Sequence, residues 1–226
     1  FPYTTLFRSA ARHDIPVVLN LDHGLHFESV VRALRLGFSS VMFDGSTLEY
    51  EENIRQTREV VKMCHAVGVS VEAELGAVGG DEGGALYGHA DESLFTDPML
   101  ARDFVDRTGI DALAVAIGNA HGKYKGEPLL DFPRLDTIRQ QAAIPLVLHG
   151  GSGISDDDFK RAIELGIHKI NFYTGMSQAA LSAVETRMAN RQPLYDEFAE
   201  LLLGIEEAIT DTVSEQMRIF GSAGRV

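Results

Sequence analysis

Three histidines, His23, His121 and His149, each lie at the end of a predicted strand and directly before a glycine. The carboxyl ends of parallel strands meet at one edge of a sheet, so the three imidazoles can converge on one point. Three imidazoles with a fourth position open to substrate are typical ligands of a catalytic Zn²⁺. A single histidine in a strand loop is more often a solvated or hydrogen-bonded residue, but three in this arrangement predict a zinc site.

A glycine-rich turn follows the strand that ends at His149, with the sequence Gly-Gly-Ser-Gly at 150–153. Ser155 and three aspartates then begin the next predicted helix. Backbone N–H groups in such a strand, turn and helix unit point outward and bind anions, usually phosphate. The turn therefore predicts a phosphate site beside the predicted zinc site.

Six short apolar segments alternate with amphipathic helical segments, which predicts an α/β fold with a parallel sheet covered by helices. Polar residues follow nearly every strand, whereas a doubly wound sheet would gather them at one switch point. The pattern therefore favours a TIM (β/α)₈ barrel, incomplete, with strands 3–8 present and the first two βα units missing. The predicted strands are 16–21, 39–43, 69–75, 112–117, 146–148 and 169–172, and the helices between them are 27–36, 51–67, 98–108, 135–141 and 157–165.

The composition of the 226 residues, 45% hydrophobic and 23% charged, is that of a soluble globular protein. The net charge of −13 argues against a nucleic-acid partner. The single cysteine, Cys64, cannot form an internal disulfide, which fits a reducing compartment such as the cytoplasm. No apolar run reaches membrane-spanning length, so neither a membrane partner nor a secretory signal is expected.

The first nine residues, Phe-Pro-Tyr-Thr-Thr-Leu-Phe-Arg-Ser, resemble the translation of a sequencing-adapter oligonucleotide. We therefore expect residues 1–9 to be a non-native segment. Residues 10–226 are expected to form one domain, a partial barrel with C-terminal helices.

Five motifs in a fixed order resemble the class II, zinc-dependent fructose- and tagatose-bisphosphate aldolases and their sugar-acid-phosphate relatives. The resemblance covers about residues 15–223. The motifs are Leu-Asp-His-Gly at 21–24, Ala-Glu-Leu-Gly at 73–76, Ala-Ile-Gly-Asn-Ala-His-Gly at 116–122, Leu-His-Gly-Gly-Ser at 148–152 and Lys-Ile-Asn at 169–171.

This resemblance implies roles for individual residues. The three histidines match the zinc ligands, and Asp22 matches the acid/base that acts on the substrate hydroxyl. Glu82, in a glycine-rich loop, matches the residue that moves the proton on the dihydroxyacetone-phosphate carbon. The resemblance also implies a phosphate-binding set: Gly122, Gly150, Gly151, Ser152, Asn171, Phe172, Tyr173 and Thr174.

Asp44 and Glu74 match a second, non-catalytic metal position of some members, although hydrogen bonding at the rim of the barrel is the commoner role for such carboxylates. Backbone carbonyls near His121 and His149 match a monovalent cation site for Na⁺ or K⁺. The family also implies a homo-oligomer, a dimer or a tetramer. Many members carry Asp or Ala where this chain has Tyr173, which leaves the aldehyde product open.

The implied reaction is reversible retro-aldol cleavage of a ketose (bis)phosphate to dihydroxyacetone phosphate and an aldehyde, with zinc stabilising the enediolate as a Lewis acid. Three alternatives remain open from the sequence. A Schiff-base aldolase would use a desolvated lysine such as Lys169, and a zinc hydrolase on the same barrel would use metal-bound hydroxide. A non-catalytic binding protein, or an inactive truncated fragment, is the third.

Overall fold

The strands of the main sheet are all parallel, as expected for strands joined by helical crossovers. The computed structural model describes residues 15–80, 86–87, 92–124, 126–191 and 198–225. In chain order the strands of these residues are β1 (Asn20–Gly24), β2 (Ser40–Phe43), β3 (Ser70–Leu75), β4 (Leu86–Tyr87), β5 (Ala112–Val115), β6 (Lys123–Tyr124), β7 (Leu146–Leu148) and β8 (Ile167–Ile170). Six of them pair in the order β1-β2-β3-β5-β7-β8, and β4 pairs with β6 in a separate small sheet.

Helices connect the strands and then continue to the C-terminal region. They are α1 (Phe27–Arg35), α2 (Tyr50–His65), α3 (Pro98–Thr108), α4 (Phe132–Ala142), α5 (Asp156–Glu164), α6 (Thr174–Ala189), α7 (Phe198–Leu201) and α8 (Ile205–Ile219). Three of them begin at an oxygen-bearing cap: the side chains of Asp97, Asp131 and Ser155 accept hydrogen bonds from the backbone N–H groups of α3, α4 and α5. Over the residues described, no helix combines the length and the apolar character that crossing a bilayer requires.

Alternate residues of each strand face opposite sides of the sheet, and the two sides differ in chemistry. Phe43, Leu113 and Leu148 belong to the large buried cluster between the sheet and the helices. The intervening residues form a smaller apolar cluster on the other side, made of Met42, Ala114 and Val147. Glu72 and Glu74 alternate with the apolar residues of β3 and are also buried. The side of the sheet away from the helices therefore carries carboxylates.

The sheet is curled, because residues at the ends of its two outermost strands touch. Asn171 follows β8 and donates through Nδ2 to Oδ1 of Asp22 in β1, at 2.9 Å. The predicted α/β fold with a parallel sheet covered by helices is thus confirmed in the form of a curled sheet of parallel strands.

Several boundaries differ from the sequence prediction. The first strand begins at Asn20 instead of residue 16, and Val17 and Val18, which precede it, are 54% and 63% exposed. The last strand covers Ile167–Ile170 and not 169–172. Helix α4 begins at Phe132, three residues early, because Asp131 caps it and Pro133 occupies its first turn. The pairing of β4 with β6 was not predicted, since two-residue strands leave no periodic signal.

Thr96 joins the carboxyl ends of β3 and β5. Its Oγ1 donates to the carbonyl of Leu75 and accepts from the N–H of Ala116 at 2.8 Å, and the residue is fully buried. We expect Thr96→Val to lower the free energy of unfolding by about 1–3 kcal/mol, because it leaves a buried donor and a buried acceptor unpaired. Urea denaturation followed by circular dichroism measures the change. Thr137→Val, at an exposed hydroxyl that bonds the carbonyl of Pro133, is the matched control. Equal stability of the two variants would contradict the assignment.

Candidate active site

The three histidines predicted to share a metal meet at the carboxyl-terminal edge of the sheet. One ligand nitrogen from each of His23, His121 and His149 lies within 4.8 Å of the others. The ring of His23 lies edge-on to both partners, with centroid distances of 4.8 Å to His121 and 4.6 Å to His149. The convergence that the sequence predicts is therefore present in the structure.

His23 reaches this point through an irregular backbone. The pairing of β1 with β2 shifts register between Leu21 and Gly24, and His23 has a φ of +44°. A left-handed conformation costs a non-glycine residue on the order of 1–3 kcal/mol and persists where its surroundings enforce it. Such irregularities commonly re-aim a side chain next to an active site. The strand thus presents Asp22 and His23 side by side at its end.

Carboxylates hold the far nitrogens of two of the imidazoles. Nδ1 of His23 lies 2.8 Å from Oδ2 of Asp44, and Nε2 of His149 lies 2.8 Å from Oε1 of Glu72. A carboxylate only accepts hydrogen bonds, so each of these imidazole nitrogens carries the proton. The remaining nitrogens, Nε2 of His23 and Nδ1 of His149, then face one another at 2.9 Å.

Two facing imidazole nitrogens that both lack a proton repel each other at this distance, unless a proton or a metal ion lies between them. Zn–N bonds of about 2.0 Å place tetrahedral ligand nitrogens roughly 3.3 Å apart, within a few tenths of an ångström of the observed separation. Carboxylates behind ligand histidines are the usual arrangement that fixes the tautomer for a metal. The residues present therefore fit a divalent metal ion.

The pKa values of the histidines follow from the same contacts. Burial lowers the pKa of His23, but the hydrogen bond to Asp44 and the charges of Asp22, Glu74 and Asp44 raise it overall to about 9. Burial, together with the neighbouring His23 and His149, lowers the pKa of His121 to about 4. The raised pKa favours the protonated form of His23, and the lowered pKa favours the neutral form of His121.

Asp44 and Glu74, the predicted second metal position, also group with His23 within 4.8 Å. Burial raises the pKa of Asp44, but hydrogen bonds from His23 and Ser46 lower it overall to about 2. Burial and the charge of Asp44 raise the pKa of Glu74 to about 8. Oε1 of Glu74 accepts from the N–H of Val78 at 2.8 Å, whereas its buried Oε2 has no partner among the described residues.

A pocket of about 580 Å³ opens beside the histidines, and His121 and Asp22 line it. Every residue predicted for the phosphate site lines the same pocket: Gly122, Gly150, Gly151, Ser152, Asn171, Phe172, Tyr173 and Thr174. The start of the 16-residue helix α6 meets the glycine turn here, where the N–H of Gly175 donates to Oγ of Ser152 at 2.9 Å. The helix dipole at this end favours an anion.

Sequence reasoning gave Glu72 no role in this site and considered Lys169 only as a possible Schiff-base lysine. Glu72 is 3% exposed and its Oε2 accepts from Nζ of Lys169 at 2.5 Å, while Lys169 lines the pocket. Glu72 lies two residues before Glu74 in β3, so the alternation of the strand could have placed both on the inner face. Burial raises the pKa of Glu72, but His149 and Lys169 lower it overall, so it is ionised. Glu82 lies outside the residues that the structure describes.

The sequence model of the family Fructose-bisphosphate aldolase class-II matches residues 2–225. The fructose-bisphosphate aldolase of Geobacillus stearothermophilus is 46% identical over 211 residues, which are 93% of this chain and 72% of that protein.

Two crystal structures have the same fold. The YdjI aldolase from Escherichia coli K12 is similar with a TM-score of 0.85 at 40% identity, over 99% of this chain and 76% of that one. A putative fructose-1,6-biphosphate aldolase from Coccidioides immitis is similar with a TM-score of 0.83 at 32% identity, over 98% of this chain and 78% of that one. Lys169, the lysine considered for the Schiff-base alternative, is ion-paired with Glu72. The chain belongs to the class II fructose-bisphosphate aldolase family.

Proposed function

We propose that this protein is a zinc-dependent aldolase that cleaves a ketose phosphate reversibly to dihydroxyacetone phosphate and an aldehyde. The observation that carries the proposal is a pocket lined by His121, Asp22 and a glycine turn, in which His121 also groups with His23 and His149 as candidate metal ligands. Retro-aldol cleavage of a phosphorylated ketose requires these functions together: charge stabilisation at the carbonyl, a base for the hydroxyl, and an anion site. A hydrolase would not require the anion site beside the imidazoles.

The protein's own residues position the reaction. His23, His121 and His149 would hold the zinc ion, which when bound supplies Lewis-acid stabilisation of negative charge on the substrate oxygens. The turn at 150–153 and the start of α6 bind the phosphate group and fix the substrate relative to the imidazoles. Asp22 and Asn171, joined by their 2.9 Å hydrogen bond, line the same pocket.

Asp22 is exposed and lines the pocket, which suits a base that must contact substrate. In cleavage it takes the proton of the substrate hydroxyl. The O–H electron pair then forms the aldehyde carbonyl, and the carbon–carbon bond breaks with its electrons passing to the ketose carbonyl oxygen. The dihydroxyacetone-phosphate fragment is released after a proton is added at its carbon, the role proposed for Glu82.

The finer assignments extend the same proposal. The curled sheet represents strands of a (β/α)₈ barrel, as supported by the similarity to the solved aldolase structures. Asp44 and Glu74 are a candidate second metal position, and a monovalent cation site near the backbone of His121 and His149 stays a prediction. A cytoplasmic homo-oligomer, dimer or tetramer, that binds neither nucleic acid nor membrane also stays a prediction.

Metal removal tests the proposal directly. We expect chelation with EDTA to abolish formation of dihydroxyacetone phosphate from a ketose 1-phosphate, and one equivalent of Zn²⁺ to restore it, because the imidazoles alone cannot stabilise the developing charge. A coupled glycerol-phosphate dehydrogenase assay measures the product, with fructose 1,6-bisphosphate and a sugar-acid 1-phosphate compared as substrates. Activity that survives chelation, or that borohydride abolishes in the presence of substrate, would overturn the metal-dependent route. Release of inorganic phosphate in place of an aldehyde would indicate a hydrolase.

Asp22→Asn separates catalysis from metal binding. The amide keeps the shape of the carboxylate but cannot accept the hydroxyl proton, so we expect kcat to fall about 10²–10⁴-fold. The zinc content, measured by atomic absorption, is expected to remain at the wild-type value. If the variant instead loses zinc in proportion to activity, Asp22 acts by supporting the imidazoles and not as the base.

Glu72→Gln tests the role of the carboxylate behind His149. The substituted amide would present no charge to the imidazole or to Lys169, and its NH2 group can donate where the carboxylate only accepts, so the tautomer of His149 is held less firmly. We expect zinc affinity to fall about 10–100-fold, as measured by competition with a chromophoric chelator. Glu59→Gln, on the surface of α2, is the matched control. Wild-type zinc affinity in Glu72→Gln would show that His149 is oriented without this carboxylate.

A further inference from the structure

One tyrosine connects the turn that carries His121 to the glycine turn of the anion site. Oη of Tyr124 accepts a hydrogen bond from the N–H of Ala120 at 2.7 Å and donates to the carbonyl of Gly150 at 3.0 Å. Ala120 directly precedes His121, and Gly150 directly follows His149. The phenol therefore joins the backbones of two turns that each carry a proposed zinc ligand.

The two turns are packed with no spare room between them. Gly150 has a φ of +66°, and a Cβ atom added there would lie 2.1 Å from the carbonyl oxygen of Ala120. A Cβ on Gly153, whose φ is +109°, would lie 3.2 Å from Cδ2 of Tyr124. The ring of Tyr124 thus packs against Gly153 at the end of the glycine turn, and its hydroxyl bonds Gly150 at the beginning of the turn.

Residues 120–124 also contact the chain on both sides of residues 81–85. Before this stretch, the N–H of His121 donates to the carbonyl of Gly79 at 2.8 Å. After it, Leu86 and Tyr87 pair with Lys123 and Tyr124. Residues on both sides of the stretch that contains Glu82 therefore contact residues 120–124. A displacement of Tyr124 would act on both turns and on this attachment.

The hydroxyl remains a neutral hydrogen-bond donor throughout the physiological range. Burial raises the pKa of Tyr124 to about 12, although the hydrogen bond from Ala120 opposes the shift. A neutral phenol has one proton and can also accept. It gives the proton to the carbonyl of Gly150 and accepts from Ala120, so both of its functions are used.

We propose that Tyr124 is a positioning residue that sets the anion-binding turn at 150–153 relative to His121, and so determines the affinity for the phosphate group of the substrate. The inference rests on the proposed function, because it takes the turn as the phosphate site. Without the hydroxyl, the partly buried carbonyl of Gly150 and the N–H of Ala120 lose their shared partner. The turn then relaxes, and its N–H groups no longer point together at the anion.

Tyr124→Phe removes the hydroxyl and keeps the ring. With the zinc-loaded protein and inorganic phosphate as the probe, isothermal titration calorimetry is expected to give a phosphate Kd about tenfold above that of the wild type. The KM for the ketose phosphate should rise by a similar factor, while kcat stays within about threefold and zinc content is unchanged. Tyr50→Phe is the matched control, since that hydroxyl bonds Asp103 on the surface and the residue does not line the pocket.

Gly153→Ala provides a second variant, because the added methyl group presses on the same ring without touching the hydroxyl. It is expected to weaken phosphate binding as well. Wild-type phosphate affinity in Tyr124→Phe would overturn the proposal, and so would equal losses of zinc, phosphate and thermal stability, which indicate a general structural role. Phosphate binding is measured without turnover, so a protein that proves inactive as an aldolase would still give a clear result here.

Discussion

The site depends on the curl of the parallel sheet, which brings side chains from the ends of its outermost strands into contact. The hydrogen bond of 2.9 Å from Asn171 to Asp22 joins residues 149 positions apart. Each strand is short and supplies only one or two polar groups at its end, so no single segment contains a site. The curl converts these separate contributions into one set of imidazoles, one candidate base and one anion-binding turn.

The interior of the curl concentrates negative charge, and that charge needs a cation. Buried carboxylates are costly unless they are paired. Glu72 is paired with Lys169 and His149, and Asp44 is paired with His23. In the metal-free protein the proton on His23 supplies the cation for Asp44, and this contact raises the pKa of His23. A divalent ion at the imidazoles would displace that proton and would itself neutralise the charge of the carboxylates. The same carboxylates would therefore be paired with positive charge in the metal-free and in the metal-bound protein.

The sequence was sufficient to predict that the histidines converge and that the residues expected to bind phosphate share one pocket, because both depend only on strand order and on where each strand ends. It could not predict the pairing of Glu72 with Lys169 or the contact of Tyr124 with the glycine turn. The first contact joins residues 97 positions apart through the curl of the sheet, and the second joins residues 26 positions apart where two backbones approach closely. Neither kind of contact leaves a periodic pattern in the sequence. It also began β1 too early, since Val17 and Val18 have the composition of a strand but are exposed.

The charge distribution explains why an anionic substrate would be held at the glycine turn. The chain carries a net charge of −13, so its long-range field opposes anions. Lys169 lines the pocket, but its ammonium group is already bound by Glu72. In the proposed function the attraction then comes at short range, from the start of α6, from the N–H groups of the turn and from the metal ion that the imidazoles would hold, and the dipoles act only when they are closely aligned. The alignment of the turn, more than the number of cationic side chains, therefore decides how well a phosphate binds.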